Sequence, residues 1–164
     1  MILGMSTHVF TLLHVIVSLV GIGSGFVAVF GLIGNRLLPR WTALFLIATI
    51  LTSVTGFLFP FHGFDPAIGV GILSLIVLLL ATIALYGGKL AGGWRGTYVV
   101  GAVIAQYFNV FVLFAQLFAK VPALKAIAPT QSSPAFGITQ LVVLVGFIGL
   151  GILAFKRFRG TWPA

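Results

Sequence analysis

Long apolar runs separated by short turns leave this chain few ways to fold. Five runs, at about residues 9–33, 41–59, 67–86, 97–119 and 137–155, are each long enough to cross a bilayer as a helix. A helix satisfies its own backbone hydrogen bonds in hydrocarbon, so helices are the expected elements. The sequence therefore predicts an all-α membrane protein, a single integral domain over residues 1–164 built as a compact bundle of five transmembrane helices.

The balance of charge and hydropathy supports a membrane location. Hydrophobic residues make up 60% of the 164 residues and charged residues only 6%, whereas a soluble domain carries about 25% charged residues. Nine Lys and Arg oppose a single acid, Asp65, for a net charge of +8. Because these positive charges stand between the apolar runs, they are interpreted as topology signals, and no nucleic-acid partner is expected.

The residue inventory excludes several kinds of chemistry. The chain has no Cys, which rules out disulfides, thiolate nucleophiles and Cys-ligated metals. A single acid rules out a carboxylate pair and, with it, most acid–base schemes for hydrolysis. We therefore predict no catalytic residue and favour a protein that is not an enzyme.

The basic residues predict the orientation of the bundle. Five spans place two basic residues, Lys120 and Lys125, on one side of the membrane. The other seven fall on the opposite side: Arg36, Arg40, Lys89, Arg95, Lys156, Arg157 and Arg159. Cytoplasmic loops carry the excess of Lys and Arg, so the C-terminus is predicted in the cytoplasm and the N-terminus outside.

Polar residues recur along one face of the fourth apolar run. Gln106, Asn109, Leu113, Gln116 and Lys120 lie at offsets 0, 3, 7, 10 and 14, which is one side of a helix. Amide groups in hydrocarbon need partners, so this face is expected to point into protein or into a hydrated cavity. Two interpretations stay open: the amides bind neighbouring helices together, or they line a ligand site or a polar path.

Similar spacing in three other runs predicts the faces that pack inside the bundle. Gly21 and Gly25 form a GxxxG pair, which predicts a close approach by a neighbouring helix. The predicted inward residues are Thr11, His14, Ser18, Gly21 and Gly25 in the first run, Thr42, Thr49, Thr52 and Gly56 in the second, and Thr139, Val142, Gly146, Gly149 and Leu153 in the fifth.

The predicted topology gathers most polar side chains near the outer face. His14, Gln116 and Gln140 fall at similar depth, because each lies a short distance inside the outer end of its span. Buried polar groups must meet one another, water or a ligand. We therefore predict an outward-opening polar cavity, with a site for a lipid-like ligand formed by His14, Asn109, Gln116, Gln140 and Lys120, and with His62 and Asp65 at its mouth.

His14 also suggests a metal or haem site. Its imidazole, with His62 and Asp65 and with His8 nearby, supplies ligand types that metals bind, although the spacing matches no standard motif. Haem iron needs axial groups from facing helices, and only His14 lies clearly within a span. The alternative is that a neutral His14 only hydrogen-bonds a neighbouring helix.

Two stretches resemble small bacterial inner-membrane proteins that have no assigned activity. These are His62–Leu75, HGFDPAIGVGILSL, and Asn109–Pro134, NVFVLFAQLFAKVPALKAIAPTQSSP. The resemblance extends over most of the chain. It implies a location in the bacterial inner membrane and assigns no site.

Three functions stay open at this point. The favoured one is a non-enzymatic accessory subunit or a binder of a lipid-like ligand, with the lipid bilayer, other membrane subunits or a second copy as partners. The second is a metal- or haem-binding redox protein that uses His14 and His62. The third is a small oligomeric transporter or channel.

Overall fold

The computed structural model describes residues 2–60 and 66–161, and every element in this part of the chain is helical. The helices are α1 (Thr7–Ile33), α2 (Pro39–Gly56), α3 (Pro66–Thr82), α4 (Gly93–Lys120), α5 (Pro122–Ile127) and α6 (Pro134–Arg157). A π-helical turn, Ile83–Gly87, continues α3. The short α5 lies in the connection between α4 and α6.

Proline and capping residues set the helix starts. Pro39, Pro66, Pro122 and Pro134 are each the first residue of a helix, where the missing backbone N–H costs no hydrogen bond. At the start of α1, the Ser6 side chain accepts a hydrogen bond from the backbone N–H of Val9. The local sequence therefore accounts for most of the helix starts.

In the described part of the chain, four helical segments are long and apolar enough to cross a membrane: Thr7–Ile33, Ile68–Gly87, Gly93–Lys120 and Pro134–Arg157. The fifth predicted span, α2, is not among them. Its 18 residues begin with Pro39 and Arg40 and include several residues with hydroxyl groups. These polar residues lower the mean hydropathy of the helix. The bundle exposes many large apolar side chains, such as Leu79 and Val142, which suits a lipid environment.

The helix α4 lies at the centre of the packing. It contacts α1, α3, α5 and α6, while α1 also packs against α2 and α6, and α2 against α3. Small residues allow close approach: a Cβ added at Gly101 of α4 would lie 3.0 Å from the Cβ of Ala81 in α3. The most deeply buried large side chains, among them Phe45 and Tyr98, lie in this core.

Basic segments meet at one end of the bundle. The Arg95 guanidinium, at the start of α4, donates hydrogen bonds to the carbonyls of Phe158 and Phe155 at the end of α6. The backbone N–H of Arg159 donates to Oδ1 of Asn35, in the turn between α1 and α2, at 2.7 Å. We refer to this end, which holds Arg95 and the end of α6, as the basic end.

The predicted inward face of α6 is wrong. Gly146 and Gly149 face open space, and Val142 is 66% exposed. The buried residues of α6 are instead Phe136, Gln140, Phe147 and Ala154. Helices in a membrane associate through van der Waals packing, and aromatic side chains such as Phe147 fill the space beside α4 better than glycine does.

Candidate functional site

A hydrogen-bonded polar network crosses the middle of the bundle. Nε2 of Gln106 in α4 donates to the carbonyl of Ile22 in α1 at 2.8 Å. Nδ2 of Asn109 donates to Oγ1 of Thr49 in α2 at 3.0 Å and lies 3.5 Å from Oε1 of Gln106. Gln106 and Thr49 are fully buried. The network therefore joins three helices and satisfies amide groups that would be costly if unpaired.

The glycine pair of α1 makes room for this network. A Cβ at Gly25 would collide with the Gln106 amide and would lie 2.8 Å from the Phe45 ring. A Cβ at Gly21 would lie 3.2 Å from Oγ1 of Thr49. The predicted close helix approach at this pair is confirmed, and it is set by contacts with both α2 and α4.

His14 is also tied to α2. Its Nδ1 lies 2.8 Å from Oγ1 of Thr55, and that hydroxyl donates its hydrogen to the carbonyl of Leu51 at 2.7 Å. When the Thr55 hydroxyl donates to Leu51, the His14 tautomer that carries hydrogen on Nδ1 makes this bond. The ring of Phe59 meets the imidazole edge to face at 5.2 Å between centroids. These contacts orient the imidazole and join α1 to α2.

The other predicted ligand residues make no hydrogen bond to His14 in the described part of the chain. Nε2 of Gln140 in α6 donates to the carbonyl of Phe111 in α4 at 3.1 Å, while its buried Oε1 has no partner within residues 2–60 and 66–161. Gln116 and Lys120 are exposed. The polar stripe of α4 is therefore enclosed over its first half and open over its second.

No metal cluster forms among the residues that the structure describes. Within residues 2–60 and 66–161, no three His, Asp or Glu side chains come together as a set of metal ligands. Two of the predicted metal ligands, His62 and Asp65, lie outside the described residues. The third, His14, has its Nδ1 engaged with Thr55.

The larger of two described cavities is a groove between α4 and α6, of about 450 Å³. Apart from Tyr107 and Lys156, its wall is apolar. The residues that line it are Val100, Val103, Ile104 and Tyr107 of α4, and Leu144, Phe147, Ile148, Gly151, Ile152, Phe155 and Lys156 of α6. Its volume falls within the roughly 300–1,000 Å³ of small-molecule sites.

The groove runs along α6 and is open at the side of the bundle. Its wall on α6, from Leu144 to Lys156, covers about 18 Å of helix axis. Its outer wall residues Val100, Ile148 and Ile152 are each about half exposed (45%, 52% and 50%). At its floor, Gly151 lets α6 approach Val103, whose Cγ1 lies 3.4 Å from the position of an added Cβ. An elongated apolar molecule could lie along this surface.

The second described cavity lies along the start of α1. It measures about 300 Å³ and is lined by Thr7, His8, Thr11, Leu12 and Val15. All of its walls belong to one helix, so it is an open surface depression. None of His14, Asn109, Gln116, Gln140 and Lys120 lines either cavity.

Sequence reasoning missed the groove because its wall carries little polar patterning. Nine of its eleven lining residues are apolar, and apolar residues on a membrane helix do not distinguish a groove from a lipid-facing surface. The only local signals are Gly151, which permits close helix packing, and Lys156, which follows the apolar run. Neither signal specifies that the side chains of α4 and α6 leave a groove there.

No protein family, curated protein or solved structure gives a significant match to this chain.

Proposed function

We propose that this chain is a non-enzymatic integral membrane protein that binds the acyl chain of a lipid in the groove between α4 and α6. The observation that carries the proposal is the shape and chemistry of the groove: about 450 Å³, apolar walls and a lateral opening. Its length of about 18 Å is close to half of the roughly 30 Å hydrocarbon core. A lipid tail from one leaflet matches that depth.

We also propose that the protein spans the membrane five times, with α2 as a span in addition to the four helical segments named above. Its 18 residues give about 27 Å of helix, and its contacts with α1 and α3 place it within the bundle. The resemblance to small bacterial proteins supports the inner membrane as the location. The excess of basic residues at the basic end supports a cytoplasmic C-terminus and an external N-terminus.

This orientation places the groove in the cytoplasmic half of the membrane. The sequence alone favours a polar cavity near the outer face, but the bonding of His14, Asn109 and Gln140 supports a different role for these groups. Each makes a hydrogen bond to a neighbouring helix. In our proposal they hold the bundle together while the apolar groove binds the ligand.

The residue inventory supports a binding role over catalysis. The chain has no Cys and one acid, and the groove wall offers only Tyr107 and Lys156 as polar side chains. Tyr107 contacts Phe147, and Lys156 lies nine residues further along α6, about 14 Å away by helix rise. These two groups therefore do not form a nucleophile–base or acid–base pair.

A groove-filling variant tests the proposal. Ile148→Trp would place an indole in the groove from an exposed wall position, while Val145→Trp adds the same group nearby on α6, outside the groove. The protein is extracted in mild detergent, and the lipids that stay bound are counted by native mass spectrometry. We expect the wild type and Val145→Trp to retain one phospholipid per chain, and Ile148→Trp to lose it.

Two results would contradict the proposal. One is equal lipid retention by Ile148→Trp and Val145→Trp, which would place any bound lipid elsewhere. The other is the absence of retained lipid in a folded wild type.

A further inference from the structure

Two positive charges lie at one end of the groove. Lys156 belongs to the groove wall. The Arg95 guanidinium lies over the ring of Phe155, another wall residue, at 5.7 Å from its centroid. Hydrogen bonds to the carbonyls of Phe155 and Phe158 hold Arg95 in this position. The apolar groove therefore ends at the exposed Lys156 ammonium, and the Arg95 guanidinium lies beside the wall residue Phe155.

These cations have no acidic side chain to pair with in the described part of the chain. The sequence has a single acid, Asp65, and it lies outside residues 2–60 and 66–161. Arg157 and Arg159 add further positive charge just beyond Lys156. A lipid phosphate could neutralise this end, because the cations lie where a lipid headgroup would meet its acyl chain.

We propose that the groove selects an anionic phospholipid from the leaflet at the basic end, with the Lys156 ammonium donating to its phosphate. This inference rests on the proposed function, because it names the lipid that the groove binds. The acyl chain would lie along the apolar wall from Ile152 towards Leu144. The order of the wall, apolar residues followed by a cation, matches the order of tail and headgroup.

The charge at the groove end distinguishes anionic from zwitterionic lipids. Both carry a phosphate, but phosphatidylcholine adds a fixed positive charge, which Arg95 and Lys156 would repel. Phosphatidylglycerol has a neutral glycerol in that place. One basic residue near the headgroup is expected to favour binding of the anionic lipid over the zwitterionic lipid about fivefold.

A competition experiment tests the headgroup preference. The purified protein is equilibrated in micelles with equal phosphatidylglycerol and phosphatidylcholine of identical acyl chains, and native mass spectrometry gives the ratio of the bound lipids. We expect the wild type to prefer phosphatidylglycerol, Lys156→Gln to lower that preference about fivefold, and Lys156→Arg to keep it. Arg157→Gln removes one charge from the neighbouring position outside the groove wall, and it should change the ratio little.

Several outcomes would overturn the inference. Equal binding of the two lipids by the wild type would show that there is no preference for the anionic lipid. Equal effects of Lys156→Gln and Arg157→Gln would show that the preference comes from the overall positive charge of this end and not from Lys156 in the groove. Displacement of the lipid by millimolar glycerol 3-phosphate would point to a soluble phosphate ligand. The groove proposal fails separately: if Ile148→Trp retains both lipids, the groove is not the site, whatever the headgroup ratio.

Discussion

The close contact at Gly25 gives the sharpest prediction about stability. Gly25→Ala adds a Cβ that would collide with the Gln106 amide and would lie 2.8 Å from the Phe45 ring. Overpacking costs about 1–3 kcal/mol. Displacing Gln106 also breaks its 2.8 Å bond to the Ile22 carbonyl, which is worth about 0.6 kcal/mol for an average interhelical bond in a membrane. Alanine regains about 0.5–1 kcal/mol of helix propensity, so we expect a net loss of about 0.6–3 kcal/mol.

The assay compares free energies of unfolding in mixed micelles with increasing denaturing detergent. Gly23→Ala is the matched control, because nothing lies within 4 Å of a Cβ at that position of the same helix, and we expect it to keep or gain stability. Gly21→Ala, with Thr49 Oγ1 at 3.2 Å, should fall between the two. Removing the Gln106 side chain in the Gly25→Ala background should restore part of the loss. Equal stability of Gly25→Ala and Gly23→Ala would refute the reasoning.

Three further substitutions and a set of reporter fusions test the polar contacts and the orientation of the bundle. Gln106→Leu should lower the free energy of unfolding by about 1 kcal/mol, because the Gln106 amide bonds to α1 and lies near a second amide. Gln140→Leu should be nearly neutral, because it also removes a buried oxygen that has no partner in the described residues. Equal losses of stability in the two variants would contradict this contrast. His14→Ala should cost about 0.6 kcal/mol, the average for one interhelical bond, and leave the retained phospholipid unchanged, as native mass spectrometry would show. Reporter fusions should place Gly92 in the cytoplasm and Thr130 outside, and an external Gly92 would reverse the predicted orientation.

The elements of the fold were predictable because they depend on local chemistry. Apolar runs, prolines and the glycine pair specify where helices begin, how far they extend and where α1 approaches its neighbours. Gln106 and Asn109 were found in the sequence for the same reason: amides on an apolar helix stand out, and their burial requires partners. Which partners they bind was not predictable, because that depends on how α1, α2 and α4 are arranged in space.

The inward face of α6 and the groove were not predictable from periodicity. On α6, glycine and aromatic residues both recur at helical spacing, and the choice between them depends on the shape of α4. The structure buries Phe147 and leaves Gly146 exposed. The groove in turn depends on how the side chains of α4 and α6 pack around Ile148, which the local sequence pattern does not record.

The most direct test of the central claim is to map where a lipid tail lies. A phospholipid with a photoreactive group on its acyl chain is incorporated with the protein into nanodiscs, illuminated, and located by peptide mass spectrometry. We predict labelling concentrated in the Val100–Tyr107 and Leu144–Lys156 segments and lost in Ile148→Trp. Labelling spread evenly over exposed apolar faces, with the α3 surface around Leu79 labelled as strongly as the groove, would contradict the account.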